Sequence, residues 1–153
     1  MTPDDISIEP ATDDELEWAA RLMASSEPWI TLRRNIDATR PFFRAADSQV
    51  YIAHTEGKPC GFLVVRPRGV INSPYIASLA VADGYRSRGI GSHLMHFAEE
   101  KFRPDAKHLF ICVSSFNTRA RQLYERLGYT AVATLQDQII DGAAEILLRK
   151  RLR

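Results

Sequence analysis

The most constraining feature of this chain is the stretch Tyr85-Arg86-Ser87-Arg88-Gly89-Ile90-Gly91-Ser92, set between the apolar run Tyr75 to Ala82 and the amphipathic run Ile90 to Phe102. In that order, the segments predict a strand, an anion-binding loop and a helix start. Glycine reaches positive φ and carries no Cβ, so the spacing R-S-R-G-I-G lets backbone N–H groups converge on a phosphate. The helix that follows adds the partial positive charge of its N-terminus, which suits a pyrophosphate.

Tyr75 to Ala82 is apolar or small on both faces, as is Leu109 to Val113, the pattern of central strands covered by helices on each side. Between them, Ile90, Leu94, Phe97, Ala98 and Phe102 form one helical stripe stopped by Pro104, so this helix connects two parallel strands. Ala120, Leu123, Tyr124 and Leu127 form the stripe of a last helix, ended by Gly128. Tyr129 to Leu135 and Ala144 to Leu148, joined by a loop containing Asp141-Gly142, finish the sheet.

Upstream, Ile6 to Glu9 reads as a short strand, and Thr12-Asp13-Asp14-Glu15 as a capping box opening a helix with Leu16, Ala19, Ala20 and Met23 at helical spacing. Ser25-Ser26-Glu27-Pro28-Trp29 interrupts it. Thr31 to Ala38 reads as a second short helix before Pro41, and the region as a mobile cap. Gln49 to His54 and Lys58 to Val65, separated by Thr55-Glu56-Gly57, predict an antiparallel hairpin, after which Arg66-Pro67-Arg68-Gly69 turns the chain again.

With 153 residues and 45% apolar content, the chain fits one domain, residues 1–153, with a core that needs neither disulfide nor metal. Twenty basic against nineteen acidic side chains leave a net charge of +1, so no bulk field points to nucleic acid or an anionic membrane. Cys60 and Cys112 both lie in apolar runs and read as reduced core residues. Met1 to Pro10 is acidic and lacks an apolar segment of the signal-peptide kind, and no run has the length of a membrane span; the expectation is a cytoplasmic protein.

Two familiar phosphate sites compete for the glycine loop. A dinucleotide fold wants a third glycine where Leu94 stands and a tight turn directly after its strand, and a Walker loop wants Gly-Lys-Ser or Gly-Lys-Thr where Gly91-Ser92-His93 stands. An ordinary strand-to-helix turn is the plain alternative. About 30 residues downstream, Asn117 is followed seven residues later by Tyr124 and then by Gly128-Tyr129. Together the two segments resemble the GNAT superfamily of acetyl-CoA-dependent N-acetyltransferases, whose pyrophosphate loop has the form [Q/R]-x-x-G-x-[G/A] and is Arg86 to Gly91 here. The resemblance runs from about Gln49 to Arg149.

The resemblance implies an α/β fold, a mixed, twisted sheet of six or seven strands flanked by about four helices, with acetyl-CoA as co-substrate between two central parallel strands that splay apart. Arg86, Ser87, Arg88, Gly89, Ile90, Gly91 and Ser92 would hold the pyrophosphate, and the backbone of Leu79, Ala80 and Val81 would pair with the pantetheine arm as an added strand does. A strand amide among Leu79 to Val81 is implied for the oxyanion. Tyr124 is implied as the general acid: a phenol of pKa about 10 keeps its proton at neutral pH yet can yield it to a developing thiolate. It also fills a helix stripe, and that reading stays open. So do two readings of Asn117, a contact to the cofactor or a helix N-cap.

The general base is where this chain departs from part of the family. Members that acetylate protein N-termini often carry a glutamate five residues before the asparagine; here that position is Cys112, and the strand Tyr75 to Ala82 has no carboxylate. A lysine-like ammonium is free base to only about one part in 2,500 at pH 7, an α-amino group near pKa 8 to about a tenth, so a weak base suits the latter better. Cys112 in an apolar strand reads as packing before it reads as a nucleophile. Glu27 and Trp29 lie where family members cover the acceptor; an acid orienting an amine beside an apolar wall, and a solvated loop with a packed ring, are the two readings. His54, His93 and His96 lack metal-ligand spacing, so no metal is expected, and Arg149 to Arg153 reads as a solvated tail rather than a nucleic-acid patch.

The expectation is direct acetyl transfer to a primary amine of a small molecule or a protein N-terminus, without a nucleic-acid or membrane partner; the resemblance leaves a homodimer open. The missing carboxylate motivates an alternative, a non-catalytic acyl-CoA-binding or regulatory module.

Overall fold

A computed structural model describes residues 5–153; residues 1–4, which begin the acidic stretch Met1 to Pro10, lie outside the described residues. The capping box forms as its spacing requires. Strand β1 (Ile6–Pro10) leads into helix α1 (Asp13–Ala24), where Thr12 Oγ1 accepts from the Glu15 N–H at 3.3 Å and the Thr12 N–H donates to Glu15 Oε1 at 3.0 Å. The second helix departs from expectation: α2 spans Ile36–Phe43 and holds Pro41 inside it. Asn35 sets the start by accepting from the Ala38 N–H, and Thr39 Oγ1 donates to Ala20 O at 2.9 Å, binding α2 to α1. Those contacts and the buried Phe43 outweigh the one backbone bond that proline removes from this short helix.

The remaining elements are β2 (Gln49–Thr55), β3 (Lys58–Val70), β4 (Ser73–Val81), α3 (Ile90–Phe102), β5 (His108–Ser114), α4 (Thr118–Arg126), β6 (Thr130–Gln136) and β7 (Ala144–Arg151). They complete the expected α/β architecture, a seven-stranded mixed sheet in the order β1-β2-β3-β4-β5-β7-β6 with four helices. Among the described residues only β4 and β5 pair in parallel, joined by α3 as crossover. No helix among the described residues is long and apolar enough to cross a membrane.

Two sequence expectations are corrected here. Arg66 to Gly69 does not turn the chain; β3 continues through it, and the reversal is a two-residue loop, Ile71-Asn72, between the paired Val70 and Ser73. Both loop residues have positive φ, 48° and 60°, the twist that closes a tight hairpin. The basic C-terminus is not a solvated tail either. Arg149 to Arg151 extend β7 against His108 to Phe110, and Leu152 is buried, because alternation continues past Leu148 and the Leu152 N–H donates to Lys107 O at 2.7 Å.

The sheet separates two apolar layers. Ile90, Leu94, Met95 and Ala98 of α3, with Tyr124 of α4, pack on one face against Leu63, Val65, Ile111 and Leu148. Ala19, Ala20, Met23 and Phe43 pack on the other against Ile52, Phe62 and Val64. Strand β4 changes phase between the layers. Ile76 and Leu79 both join the α3 layer although they are three residues apart, because Ala77 is an extra residue between the pairs Val65↔Ile76 and Val64↔Ser78. A bulge of this kind bends its strand and can end pairing on the far side.

Candidate active site

Pairing between β4 and β5 consists of Tyr75↔Phe110 and Ile76↔Ile111, and it ends at the bulge. Beyond it, β4 stays paired to β3 through Val81↔Gly61, while β5 stays paired to β7 through Ser114↔Glu145. The two central strands therefore diverge, and the β5-facing backbone of Leu79, Ala80 and Val81 has no strand beside it. A cavity of about 220 Å³ fills the gap. Its walls come from β4, β5, the α1–α2 connection with Trp29 and Arg34, and α4 with Tyr124.

The glycine loop follows β4. Gly89 is the N-cap of α3 in the left-handed conformation (φ 80°) and offers no side-chain cap, so the first-turn N–H groups of Ile90, Gly91 and Ser92 are presented without a capping oxygen. Ser87 also has positive φ, 63°, and its Oγ accepts from Arg119 Nη2 at 2.8 Å, tying the loop to α4. Arg86 Nε donates to Val81 O at 3.2 Å, and the Arg88 guanidinium lies 5.6 Å from the Tyr85 ring centroid. Arg86 and Arg88 thus belong to the loop that leads into an uncapped helix start, and Arg119 is tied to that loop through Ser87.

Within the cavity the acid–base groups are arranged by strand register. Tyr124 is buried, its ring 6.4 Å from that of Tyr129, and burial pushes its phenol up to about 12, so it holds its proton throughout the neutral range. Cys112 lines the wall with its thiol pushed up to about 11, first by burial and then by the Glu145 charge; a protonated thiol is a poor nucleophile. Burial, and then the neighbouring Cys112, hold the Tyr75 phenol well above its ordinary value. Ser78 Oγ is buried in the same wall without a hydrogen-bond partner among the described residues.

Glu145 is the group that sequence reasoning missed. It enters the cavity from β7, opposite Ser114, whose Oγ lies 3.0 and 2.8 Å from the two carboxylate oxygens and donates to them. Burial raises its pKa above the ordinary carboxylate value, and the Ser114 hydroxyl partly offsets that. The available signal was one carboxylate inside the otherwise apolar run Ala143 to Leu148.

The other predicted residues fall as follows. Asn117 caps α4, its Oδ1 accepting from the Ala120 N–H at 3.4 Å, and it also lines the cavity. Trp29 is a cavity wall, its ring 6.1 Å from Phe62. Glu27 is exposed, and its carboxylate accepts from Thr31 N–H at 2.9 Å and Thr31 Oγ1 at 2.8 Å, within its own turn.

The sequence matches the model of the acetyltransferase (GNAT) family over residues 13–129. It is 33% identical over 101 residues to streptothricin acetyltransferase of Streptomyces lavendulae, a match covering 65% of this chain and 53% of that one, so the chain spans about half the length of that relative. It is 23% identical over 114 residues to an N-alpha-acetyltransferase of Sulfurisphaera tokodaii, covering 67% of this chain and 68% of the other. The crystal structure of a GNAT acetyltransferase from Elizabethkingia anophelis with acetyl-CoA bound superposes with a TM-score of 0.72 at 20% identity, over 97% of this chain and 99% of that one. With a family match across most of the sequence and the same fold in three dimensions, this chain belongs to the acetyltransferase (GNAT) family.

Proposed function

We propose that the protein moves an acetyl group from acetyl-CoA directly to a primary amine, carried by a small molecule or by a protein N-terminus. The observation that carries this reading is the parting of β4 from β5 after Ile76↔Ile111, which leaves an open strand edge leading from the uncapped start of α3 to the phenol of Tyr124. The residues present fit the donor. The loop Arg86 to Ser92 offers amides and guanidinium groups to a pyrophosphate, and the free edge of Leu79 to Val81 offers amide partners to an amide-bearing arm.

Acetyl-CoA would supply an activated acyl carbonyl and a thiolate leaving group. Around it, a β4 amide is fixed in place to receive charge developing on the carbonyl oxygen, and Tyr124 keeps a proton to give to sulfur. The raised thiol of Cys112 favours direct transfer over an acyl-cysteine. A carboxylate does line the slot, at Glu145, so the motive for a merely CoA-binding module falls away.

Thermal unfolding with CoA, acetyl-CoA, ATP or NAD tests the donor. At 100 times its Kd a ligand adds about 2.7 kcal/mol, and a rise confined to the two CoA species is expected. CoA release is then followed with streptothricin and with a peptide bearing a free α-amino group, the amines suggested by the two relatives' names. An equal rise with ATP or NAD, or CoA binding without consumption of any amine, would overturn the proposal.

A further inference from the structure

We infer that Glu145 is the group that receives the acceptor amine and takes its first proton. The inference rests on the acetyl-transfer reading above and adds to it the base that neither β4 nor β5 carries. Three observations point to it. The carboxylate is buried, with the residue 8% exposed, yet it faces the cavity rather than a counter-charge within the core. Its hydrogen-bonding partner is a neutral hydroxyl: one Ser114 proton is shared between two oxygens, which leaves lone pairs on both for a ligand N–H. Its position is rigid, because Ser115 N–H donates to Ala144 O at 2.8 Å and Ala144 N–H donates to Ser115 Oγ at 3.0 Å, locking the start of β7 to the end of β5.

The surroundings favour proton transfer rather than a lasting ion pair. Tyr75 from β4, Cys112 from β5 and Tyr124 from α4 face the cavity as neutral, protonated groups. On the β6 side the register partner of Glu145 is Leu135, and among the described residues Arg34 is the one cation lining the cavity. Burial of the slot disfavours an ammonium and a carboxylate alike relative to amine and acid.

Glu145 takes one proton from the ammonium, and the freed nitrogen lone pair forms the C–N bond to the acetyl carbonyl. The C–S bond then breaks, its electron pair leaving on sulfur, which receives the Tyr124 proton. The second nitrogen proton replaces the one Tyr124 gave, and the proton on Glu145 passes to solvent. The sum is an ammonium and a thioester giving an amide, a thiol and one released proton.

The test measures kcat/KM against pH with acetyl-CoA and whichever of streptothricin or the α-amino peptide the wild type consumes. Glu145→Gln is expected to lower the neutral-pH rate by roughly 10²-fold. It should also abolish the acid limb set by Glu145, leaving a tenfold rise per pH unit up to the amine's own pKa. Glu145→Asp keeps a carboxylate and should keep the limb at reduced rate. Ser114→Ala removes the hydrogen bond that lowers the Glu145 pKa, so it should move the limb to higher pH; this variant decides the matter if Glu145→Gln does not fold. Wild-type rates and an unchanged pH profile in Glu145→Gln, or an unmoved limb in Ser114→Ala, overturn the inference while acetyl transfer stands. A wild type that binds no CoA and consumes neither amine overturns the reading beneath it as well.

Discussion

The phenol of Tyr129 donates to Glu99 Oε2 at 2.9 Å deep between α3 and the sheet, while Lys150 Nζ holds Oε1 of the same carboxylate at 3.0 Å. Glu99 is 1% exposed, and His96 Nδ1 lies 3.6 Å from the same Oε1. Tyr129 N–H also donates to Tyr124 O at 3.0 Å, so the cluster fixes the end of α4 and with it the ring of Tyr124.

Removing the lysine isolates a buried charge. Lys150→Met should cost about 3 kcal/mol, the low end for breaking a buried pair because Lys150 keeps a quarter of its side chain in water. Tyr129→Phe should cost about 1.5 to 2 kcal/mol, a hydrogen bond to a charged acceptor. Urea unfolding reads both, and a loss under 0.5 kcal/mol in Lys150→Met would mean that the contact between Lys150 and Glu99 adds little to folding.

The hairpin loop makes the opposite prediction. Ile71 is 92% exposed and has φ 48°, a conformation that a β-branched side chain adopts at a cost of roughly 1–2 kcal/mol. Nothing repays that cost by burial. Ile71→Asn should therefore stabilise the protein by about 1 kcal/mol, raising the melting temperature by about 2–4 °C at this chain length. A lower melting temperature in the variant would refute the account.

These cases show what could be read from residues alone. The capping box at Thr12, the strand–loop–helix at Arg86 to Ser92 and the cap at Asn117 are local chemistry, complete within a few residues, and each stands where its spacing put it. The errors arise where distant contacts decide. Pro41 stays helical because Thr39 is anchored to Ala20, 19 residues away, and Arg149 to Arg151 become strand because β5 offers them an edge. Glu145 meets Ser114 across 31 residues, through a pairing of β5 with β7 that skips β6. Periodicity reports which face a residue takes, not which strand lies beside it.

The loop itself can be tested by conformation alone. Beyond its chain neighbours, no atom of the described residues comes within 4 Å of where a Cβ on Gly89 would stand, so a side chain there meets strain from φ 80° and no clash. Gly89→Val should weaken CoA binding about tenfold, from the roughly 1–2 kcal/mol that a non-glycine residue loses in this region, and Gly89→Asn should weaken it less. Titration calorimetry with CoA gives the order; equal affinity in all three proteins would remove Gly89 from the phosphate cradle.

Glu145 links activity to stability through pH. Its folded pKa is raised, so the native state binds the proton more tightly than the unfolded chain, and its contribution is most favourable below the unfolded value of 4.5 and lost as pH rises through the folded pKa. Wherever the native protein holds Glu145 as a carboxylate, burial makes it a group it would hold better as an acid. Glu145→Gln, a neutral group of the same shape, should melt higher than wild type at pH 7.5, and the gap should close as pH falls below 4.5. A gap that widens with acid would reverse the sign and remove burial as the dominant influence on this group.

Tyr124 carries the sharpest catalytic prediction because its hydroxyl can be deleted without moving its ring. Tyr124→Phe keeps the apolar contacts with Tyr129 and the α3 layer, so folding and CoA affinity should be nearly unchanged. Turnover should fall by something like 10²-fold, since the thiolate would then leave without its proton donor. The loss should appear in kcat and in kcat/KM alike, the mark of an interaction made only in the transition state. A phenol pushed up to about 12 also predicts that wild-type activity shows no basic limb from Tyr124 below pH 10, where the donor is still protonated. Full turnover in the phenylalanine variant would assign Tyr124 to the helix stripe alone and leave sulfur to be protonated by solvent.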